Sequence, residues 1–335
     1  MLKKLRNSEL GPVVVLNDFF LDRIISVQDV ASFYGQIMEK INFGGSIRGI
    51  PQKDIKGGNA TNVAYALARL GCTVSLITIA DKAGAVILKE AFSGHDNATL
   101  YVIEGKPGRT TALEFQNGDN IVNIMFSDLG DNENFGPERL GPREHEALSK
   151  AEAAIVTNWA SNRKGTELAR SVFEKSKNAL HMLDPADIQA RSKEFAESLA
   201  RIGSRLDSLC LNENECNILL SQFGLGRISG VEETKKQVMA LAKKSSVPID
   251  LHTAGGSYWT DGKEVEFAKS LPAKPVIVTG AGDAWDAANT IGYLAELDAG
   301  ERLLFANAAA SLYVSSTTGI PPTMDEVENL LEKFA

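Results

Sequence analysis

The 335-residue sequence predicts an α/β fold, in which a mostly parallel central sheet is covered by helices on both faces. The first observation is that strand-like and helix-like patterns alternate from residue 150 onward. The second is that residues 98–127 break this alternation and read as short strands separated by Gly, Asn and Asp, as in a small antiparallel sheet. The third is that no repeat, low-complexity tract or linker divides the chain. Residues 1–335 are therefore predicted to form a single domain with a small β lid, taken from about 40–56 and 98–127.

The first third of the chain begins with a buried strand, because residues 12–16 (PVVVL) are apolar throughout. The polar stretch that follows contains Asp22, and open α/β sheets bind ligands beyond the carboxyl ends of their strands. Asp22 is therefore a candidate for holding hydroxyl groups, although a loop carboxylate paired with Arg23 explains the pattern equally well. The elements predicted next are an amphipathic helix over 27–42, an irregular glycine-rich stretch over 44–58, a helix that ends at Gly71, a strand over 74–79 and a turn over 81–84.

The second half of the chain carries the clearest alternation. The predicted strands are 153–157, 181–183, 208–211 and 247–251, and the predicted helices are 163–177, 188–203, 231–244 and 301–314. A further helix opens at Asn212-Glu213-Asn214-Glu215, and the last helix opens at Thr323 with a capping-box pattern. These units favour a parallel sheet with connecting helices.

A glycine turn near residue 280 is the strongest candidate for a chemical site. Val276–Val278 reads as a buried strand, and Gly280-Ala281-Gly282 leads from it into a helix with an apolar face. The N-terminus of such a helix has unpaired backbone N–H groups and a partial positive charge, which suit a phosphate or a developing anion. Asp283 is then either an ordinary first-turn carboxylate or a general base that takes a proton from a hydroxyl group.

Composition limits the possible functions. The chain is 44% hydrophobic with a formal net charge of -8 at pH 7, which argues against non-specific binding to nucleic acid. No apolar run reaches the ~18 residues of a membrane span, and the basic start is not followed by the apolar segment of a signal peptide. Cys72, Cys210 and Cys216 lack metal-type spacing, as do the four histidines, so structural thiols in a reducing compartment are expected. A soluble, cytoplasmic protein is predicted.

Three stretches together resemble the ribokinase family of small-molecule kinases, also called the pfkB family. They are GGNATNVAYALARLG (57–71), Asn-x-x-Glu at 212–215 and TGAGDAWDAA (279–288), and they occur in the order that the family shows. The resemblance covers roughly residues 12–334 and implies a three-layer α/β/α domain with a β lid. It also implies transfer of a phosphoryl group from ATP to an alcohol group of a sugar or sugar-like molecule.

The resemblance implies a role for individual residues. Asp283 would be the base, and the N–H groups of Gly280, Ala281, Gly282 and Asp283 would form the anion hole for the transferring phosphoryl group. The substrate contacts would be Asp22, Gly57, Gly58 and Asn62. The nucleotide contacts would be Asn212, Thr253, Gly255, Gly256 and Asn307, with Asn307 at the adenine. Glu215, through water and together with Asn212, would organise Mg²⁺.

The sequence also departs from the family pattern. Ile277 and Val278 stand where many members carry an acidic residue and threonine that help to bind a monovalent cation, which argues against potassium activation. The nucleotide loop, typically Thr-x-Gly-x-x-Gly, reads Thr253-Ala254-Gly255-Gly256-Ser257 and leaves its register open.

Several alternatives remain open. A nucleoside kinase of the same family would need an aromatic or apolar shelf, for which Phe19, Phe20, Tyr101 and Phe115 are candidates. A non-catalytic sugar or nucleotide sensor would have no need of Asp283 as a base. A dinucleotide-dependent oxidoreductase is disfavoured, because G-x-G-x-x-G is absent near the start of the chain. The sequence does not choose between sugars, phosphosugars, sugar acids and nucleosides, or between ATP and another donor, and a homodimer through the lid is plausible.

Overall fold

The computed structural model describes residues 1–8, 10–117 and 120–334. A nine-stranded, mostly parallel sheet forms its centre and confirms the predicted fold class. From one edge to the other its strands are β13 (Val265–Lys269), β12 (Gly256–Thr260), β11 (Ile249–Thr253), β10 (Ser208–Asn212), β9 (Leu180–Asp184), β8 (Ala153–Thr157), β1 (Val13–Asn17), β4 (Val74–Ala80) and β5 (Ala98–Glu104). Strands β11, β12 and β13 pair antiparallel to one another, and the other neighbours pair in parallel.

Helices pack on both faces of this sheet, and β1 shows why its sequence is apolar throughout. Val13 and Val15 belong to one hydrophobic core, whereas Val14 and Leu16 belong to the other, and all four are buried. Alternate strand residues point to opposite faces, so a strand between two helical layers needs apolar residues at each position. The helices are α1 (Leu2–Asn7), α2 (Val30–Lys40), α3 (Asn59–Arg69), α4 (Lys82–Ala91), α5 (Pro142–Ser149), α6 (Gly165–Lys175), α7 (Ser192–Ile202), α8 (Glu213–Gln222), α9 (Gly230–Ser245), α10 (Ala281–Leu294), α11 (Ala299–Val314) and α12 (Met324–Glu332).

A second sheet of four strands forms the lid, and its strands differ from those predicted. Their order is β3 (Gln52–Gly57), β2 (Phe20–Val27), β6 (Gly108–Asn117) and β7 (Asn120–Asp128), with β2 and β6 parallel. Residues 98–104, which the sequence assigns to the lid, pair instead with β4 at the edge of the large sheet. The stretch after the first strand, predicted as a loop, becomes β2 and places Asp22 within the lid sheet.

The predicted buried strand at Val276–Val278 is wrong. These residues have no regular structure, and the side chains of Val276 and Val278 are 51% and 72% exposed. The backbone finds a partner outside any sheet, because the N–H groups of Val276 and Ile277 both donate to the carbonyl of Val314 at the end of α11. A β-branched triplet therefore gave the local signal of a strand without a neighbouring strand to pair with.

The predicted turn over 81–84 is also wrong, because this segment begins α4. Asp81 is the N-cap, and its side chain accepts the Gly84 N–H at 2.7 Å. The capping box predicted at Thr323 is confirmed at the start of α12. Among the described residues, none of the helices is long and apolar enough to cross a membrane.

Candidate active site

The glycine turn before α10 is held in one conformation by its neighbours. Gly280 is the N-cap residue, and its φ of 87° lies in the left-handed region that favours glycine. A Cβ at this position would collide with the Tyr313 hydroxyl, which itself donates to the Thr279 carbonyl at 2.8 Å. The turn thus needs glycine at position 280 both for its backbone conformation and for space.

This turn leaves backbone donors free at the helix N-terminus. Within the described residues, the N–H groups of Gly280, Gly282 and Asp283 donate to no protein acceptor, and no side chain caps the helix. The N–H of Ala281 differs from the predicted arrangement, because it already donates to the Val278 carbonyl at 3.1 Å. The free N–H groups form a place where an anion would be stabilised.

Asp283 projects from the first turn of α10 and is held by two amides. Its carboxylate accepts hydrogen bonds from Nδ2 of Asn59 at 3.0 Å and from Nδ2 of Asn62 at 2.9 Å. The side chain is buried, and burial, followed by the charge of Asp184, raises the pKa of Asp283 to about 7. A carboxylate with a pKa near neutrality is suited to act as a general base.

Asp18 positions the two asparagines, a role that sequence reasoning did not assign. It lies just after β1, and its carboxylate accepts the backbone N–H groups of Asn59 and Ala60, both at 2.9 Å. It also accepts hydrogen bonds from Thr157 and Asn158, each at 2.9 Å. Asp18 therefore fixes the N-terminus of α3 against the large sheet and, through it, the amides that hold Asp283.

The predicted substrate residues Asp22, Gly57 and Gly58 come together where the lid sheet meets α3. A Cβ on Gly57 would overlap the Asp22 carboxylate, and one on Gly58 would lie 2.8 Å from the Asp18 carbonyl. Oδ1 of Asp22 is buried and finds no hydrogen-bond partner within the described part of the chain. Burial raises the pKa of Asp22 to about 6. The absence of a side chain at Gly57 and Gly58 thus leaves room for the Asp22 carboxylate and for the Asp18 backbone. Oδ1 of Asp22 can still accept a hydrogen bond.

Lys56 is a further charged residue of this site that sequence reasoning missed. Its Nζ donates to Oδ1 of Asn62 at 3.2 Å and lies 4.3 Å from the centre of the Tyr65 ring. Lys56 lines the same cleft as Asn62, Gly280 and Asp283. No sequence motif marks it, because a lysine just before a glycine pair is common on exposed strands.

A cluster of buried carboxyl groups lies beneath the base. Asp286, one turn after Asp283, is 1% exposed, and both of its carboxylate oxygens are without a hydrogen-bond partner in the described ranges of the chain. Burial, and next the charges of Asp184 and Asp283, raises its pKa well above the ordinary range. Burial also raises the pKa of Asp184 to about 6. Among the described residues, no three acidic, histidine or cysteine side chains form a group that could hold a metal ion, so a cation here would take most of its oxygen ligands from water or a bound phosphate.

Asn212 and Glu215 form the capping box that opens α8. Asn212 donates to Glu215 through its backbone N–H at 2.9 Å and through Nδ2 at 2.6 Å, and its Oδ1 accepts the Glu215 N–H. Glu215 is 5% exposed, and burial raises its pKa to about 9. The pair thus has a role in helix capping, and its predicted role at Mg²⁺ stays a prediction.

The residues predicted for the nucleotide lie at one side of the large sheet, around β11 to β13. Thr253 accepts the N–H groups of Gly255 and Gly256 at 3.2 Å and shapes the turn between β11 and β12. Asn307 is buried and already bonded, since its amide accepts from Trp285 Nε1 at 2.9 Å and donates to backbone carbonyls of β13. Asn307 therefore joins α10, α11 and β13.

The aromatic residues considered for a nucleoside shelf are not assembled in one place. Phe19 is fully buried in a hydrophobic core, and Tyr101 belongs to β5 of the large sheet. Phe20 is 7% exposed and packs over Gly108 in the lid. Each of these side chains is accounted for by packing.

Comparison with known proteins identifies the family of the chain. Residues 35–326 match the pfkB family of carbohydrate kinases. The chain is 26% identical over 293 residues to a ribokinase of Bacillus subtilis, covering 86% of this chain and 92% of that protein. It is 24% identical over 289 residues to a 5-dehydro-2-deoxygluconokinase of Listeria monocytogenes, covering 82% of this chain and 86% of that protein.

A solved structure shows the same fold. The Arabidopsis thaliana ribokinase, determined with ribose and ATP, superposes with a TM-score of 0.75 at 20% identity and covers 96% of this chain and 99% of that chain. The family match extends over most of the sequence, and the fold agrees with it. The chain therefore belongs to the pfkB family of carbohydrate kinases.

Proposed function

We propose that the protein transfers the γ-phosphoryl group of ATP to an alcohol group of a sugar or sugar-like small molecule. The observation that carries this proposal is the placement of Asp283. A buried carboxylate whose pKa is raised to about 7 lies on the first turn of a helix whose N-terminal N–H groups are free. A proton acceptor and an anion site are thus side by side, as a direct transfer to a hydroxyl group requires.

The proposed reaction follows from this arrangement. The Asp283 carboxylate takes the proton of the acceptor hydroxyl as its oxygen forms a bond to the γ-phosphorus. The bond between that phosphorus and the bridging oxygen breaks, and ADP leaves with its electron pair. The N–H groups of Gly280, Gly282 and Asp283 stabilise the charge on the transferring group. Asn59 and Asn62 keep the base oriented through their hydrogen bonds to its two oxygens.

The donor site is proposed at the turn of Thr253, Gly255 and Gly256. Asn307 would support this turn indirectly, because it holds the neighbouring strand β13 through hydrogen bonds to its backbone carbonyls. Magnesium, when bound, would neutralise charge on the nucleotide phosphates. Asp286, whose carboxylate oxygens have no partner among the described residues, and Glu215 would contact such an ion singly or through water. The other ligands would come from the phosphates and water, because no three acidic, histidine or cysteine side chains of the described residues form a metal site. A neighbouring cation would favour the ionised forms of these carboxyl groups.

The acceptor site is proposed between Asp22 and Asp283. The free Oδ1 of Asp22 is an acceptor for a substrate hydroxyl group, and the lid sheet that carries it would cover the reacting groups. Ribokinase and deoxygluconokinase relatives support a sugar or sugar derivative as the acceptor.

The test is ADP release with Mg·ATP over pentoses, hexoses, phosphosugars, sugar acids and nucleosides, run with wild type and Asp283→Asn. Loss of a positioned base typically costs about 10²–10⁴ in rate, so the variant should lose that factor and keep the fold and ATP binding. Equal turnover in the two proteins would exclude Asp283 as the base. ATP binding without turnover of any acceptor would favour the sensor, and turnover of nucleosides alone would favour the nucleoside kinase.

A further inference from the structure

Lys56 places a positive charge in the proposed acceptor cleft. The cleft is lined by Lys56, Asn62, Asp283, Gly280, Tyr313 and Pro321, among others. The side chain reaches it from the end of lid strand β3 and is partly buried. Of its three N–H protons, one is accounted for by Oδ1 of Asn62 at 3.2 Å.

This ammonium group lacks an anionic partner. In the described part of the chain, no carboxylate oxygen lies within 4.0 Å of Lys56 Nζ. Its protein contacts are an amide oxygen and the face of the Tyr65 ring. Burial lowers the pKa of Lys56 to about 8, and the charges of Asp283 and Asp22 oppose that shift. A desolvated charge is costly unless it is paired, and proteins usually pair it.

The side-chain amide of Asn62 lies between Lys56 and the proposed base Asp283. Asn62 accepts from Lys56 through Oδ1 and donates to Asp283 through Nδ2. A ligand that presents its hydroxyl group to Asp283 therefore brings atoms a few bonds away close to Lys56. Hydroxyl groups already have an acceptor in Asp22, whereas a carboxylate or phosphate finds its counter-charge at Lys56.

We infer that Lys56 determines specificity by binding an anionic group of the acceptor, so that the substrates are sugar acids or sugar phosphates. The inference rests on the proposed function, because it concerns the acceptor of the same reaction. The anionic group is a carboxylate or a phosphate ester, within a few bonds of the hydroxyl group that is phosphorylated. Neutral sugars of the same shape are poorer substrates, because they leave the ammonium unpaired.

The experiment compares matched acceptors: ribose with ribonate and ribose 5-phosphate, and glucose with gluconate. Wild type, Lys56→Met and Lys56→Arg are assayed for ADP release at saturating Mg·ATP, with Lys53→Met, an exposed lysine of the same strand, as the control. A hydrogen bond to a charged group contributes about 1.5–3 kcal/mol, which corresponds to about 10–150-fold. Lys56→Met should raise the ratio of KM for each anionic acceptor to KM for its neutral match by that factor, whereas loss of the hydrogen bond to Asn62 should lower kcat equally for both acceptors.

Binding is measured separately from turnover. Calorimetric titration of ribonate, ribose 5-phosphate and gluconate into each protein without ATP should show binding to wild type and Lys53→Met, and loss of most of it in Lys56→Met. Lys56→Arg should retain part of it, because the charge remains. Activity with Asp283→Asn tests the proposed reaction, so failure of that reaction leaves the binding result interpretable.

Three results would overturn the inference. One is wild-type preference for a neutral acceptor over its matched acid and phosphate. Another is absence of binding of any anionic probe to wild type. The third is a fall in kcat that is equal for neutral and anionic acceptors in Lys56→Met with the ratio of their KM values unchanged, which would limit Lys56 to holding Asn62 or the transferring phosphoryl group.

Discussion

Helix α10 borders two buried polar clusters that differ in how their charges are paired. Around its C-terminal half, Asp250 accepts hydrogen bonds from Arg302 Nη1 at 2.7 Å, Ser208 at 2.6 Å and Tyr293 at 2.8 Å. Arg302 also donates to Asn289 of the helix and stacks on the Tyr293 ring, with 3.7 Å between guanidinium and ring centre. This cluster is complete in its charges, which pair without any ligand, although the buried Nδ2 of Asn289 has no hydrogen-bond partner among the described residues.

The cluster at the N-terminal half of the same helix is incomplete. Among the residues that the structure describes, Asp286 has no hydrogen-bond partner for either oxygen, and Oδ1 of Asp22 is also unpartnered. Burial raises the pKa of both Asp184 and Asp283, and the charge of Asp184 raises that of Asp283 further. Buried polar groups are normally satisfied, so a cluster that is not satisfied indicates a site completed by substrate, nucleotide or cation. Position along one helix thus separates a charge-paired network from the one proposed to carry the reaction.

The largest effect is expected from breaking the complete cluster. Arg302→Met leaves the buried Asp250 carboxylate without its counter-charge, and removal of one partner of a buried pair costs about 3–5 kcal/mol. The matched control is Arg23→Met, which breaks an exposed pair with Asp54 and should cost less than about 1 kcal/mol. Urea denaturation measures both. If Arg302→Met lowers the free energy of unfolding by no more than Arg23→Met does, the structural role of this cluster would be contradicted.

The incomplete cluster should control the pH dependence of turnover. Asp283 must be ionised to accept a proton, and its pKa is about 7. The kcat/KM value should therefore fall about tenfold per pH unit below pH 7 and level off above it. The measurement is kcat/KM between pH 5.5 and 8, at saturating Mg·ATP and with an acceptor found in the panel. A flat profile down to pH 5.5 would mean that Asp283 keeps an ordinary pKa in the complex or is not the base.

Asp286→Asn is expected to raise the free energy of unfolding, whereas Arg302→Met lowers it, and the expected change is smaller. The folded-state pKa of Asp286 is raised, so the native protein binds more protons than the unfolded chain above pH 4. Wild-type stability therefore falls as pH rises through this window toward the raised pKa. The variant does not lose stability in this way, because asparagine does not ionise, and its amide can donate to Asp184. It should be more stable than wild type by about 1 kcal/mol at pH 8, with a smaller difference at pH 5. Denaturation at both pH values measures this, and a variant less stable at pH 8 would mean that Asp286 is not a destabilising charge.

The two clusters also show what sequence can and cannot predict. The glycine turn and α3 were found from local patterns, because helix starts and glycine positions depend on neighbouring residues. Asn59 could have been found as well, since it lies three residues before Asn62 and the i, i+3 spacing places both on one helix face. Asp18 could not, because its partners Thr157 and Asn158 come from a distant segment. Lys56 bonds to a residue only six positions away, but the cleft that it lines is completed by Gly280 and Asp283 from the far end of the chain. The prediction of a strand at Val276–Val278 was wrong because a strand needs a neighbouring strand, and local sequence does not show whether one is present.

The smallest effect on turnover is expected from a change of monovalent cation. The loop that would bind such a cation lies beside the incomplete cluster. Ile277 occupies this loop, and its Cδ1 lies 3.2 Å from where a Cβ on Gly319 would be. An isoleucine side chain offers no oxygen to a hard cation, whereas the carboxyl groups of the neighbouring cluster do. Initial rates at constant ionic strength should therefore differ by less than about twofold between potassium, sodium and tetramethylammonium chloride, while removal of magnesium should abolish turnover. Activation by potassium of about tenfold or more would mean that backbone carbonyls of this loop bind a cation without help from the side chain at position 277, and that the incomplete cluster extends into it.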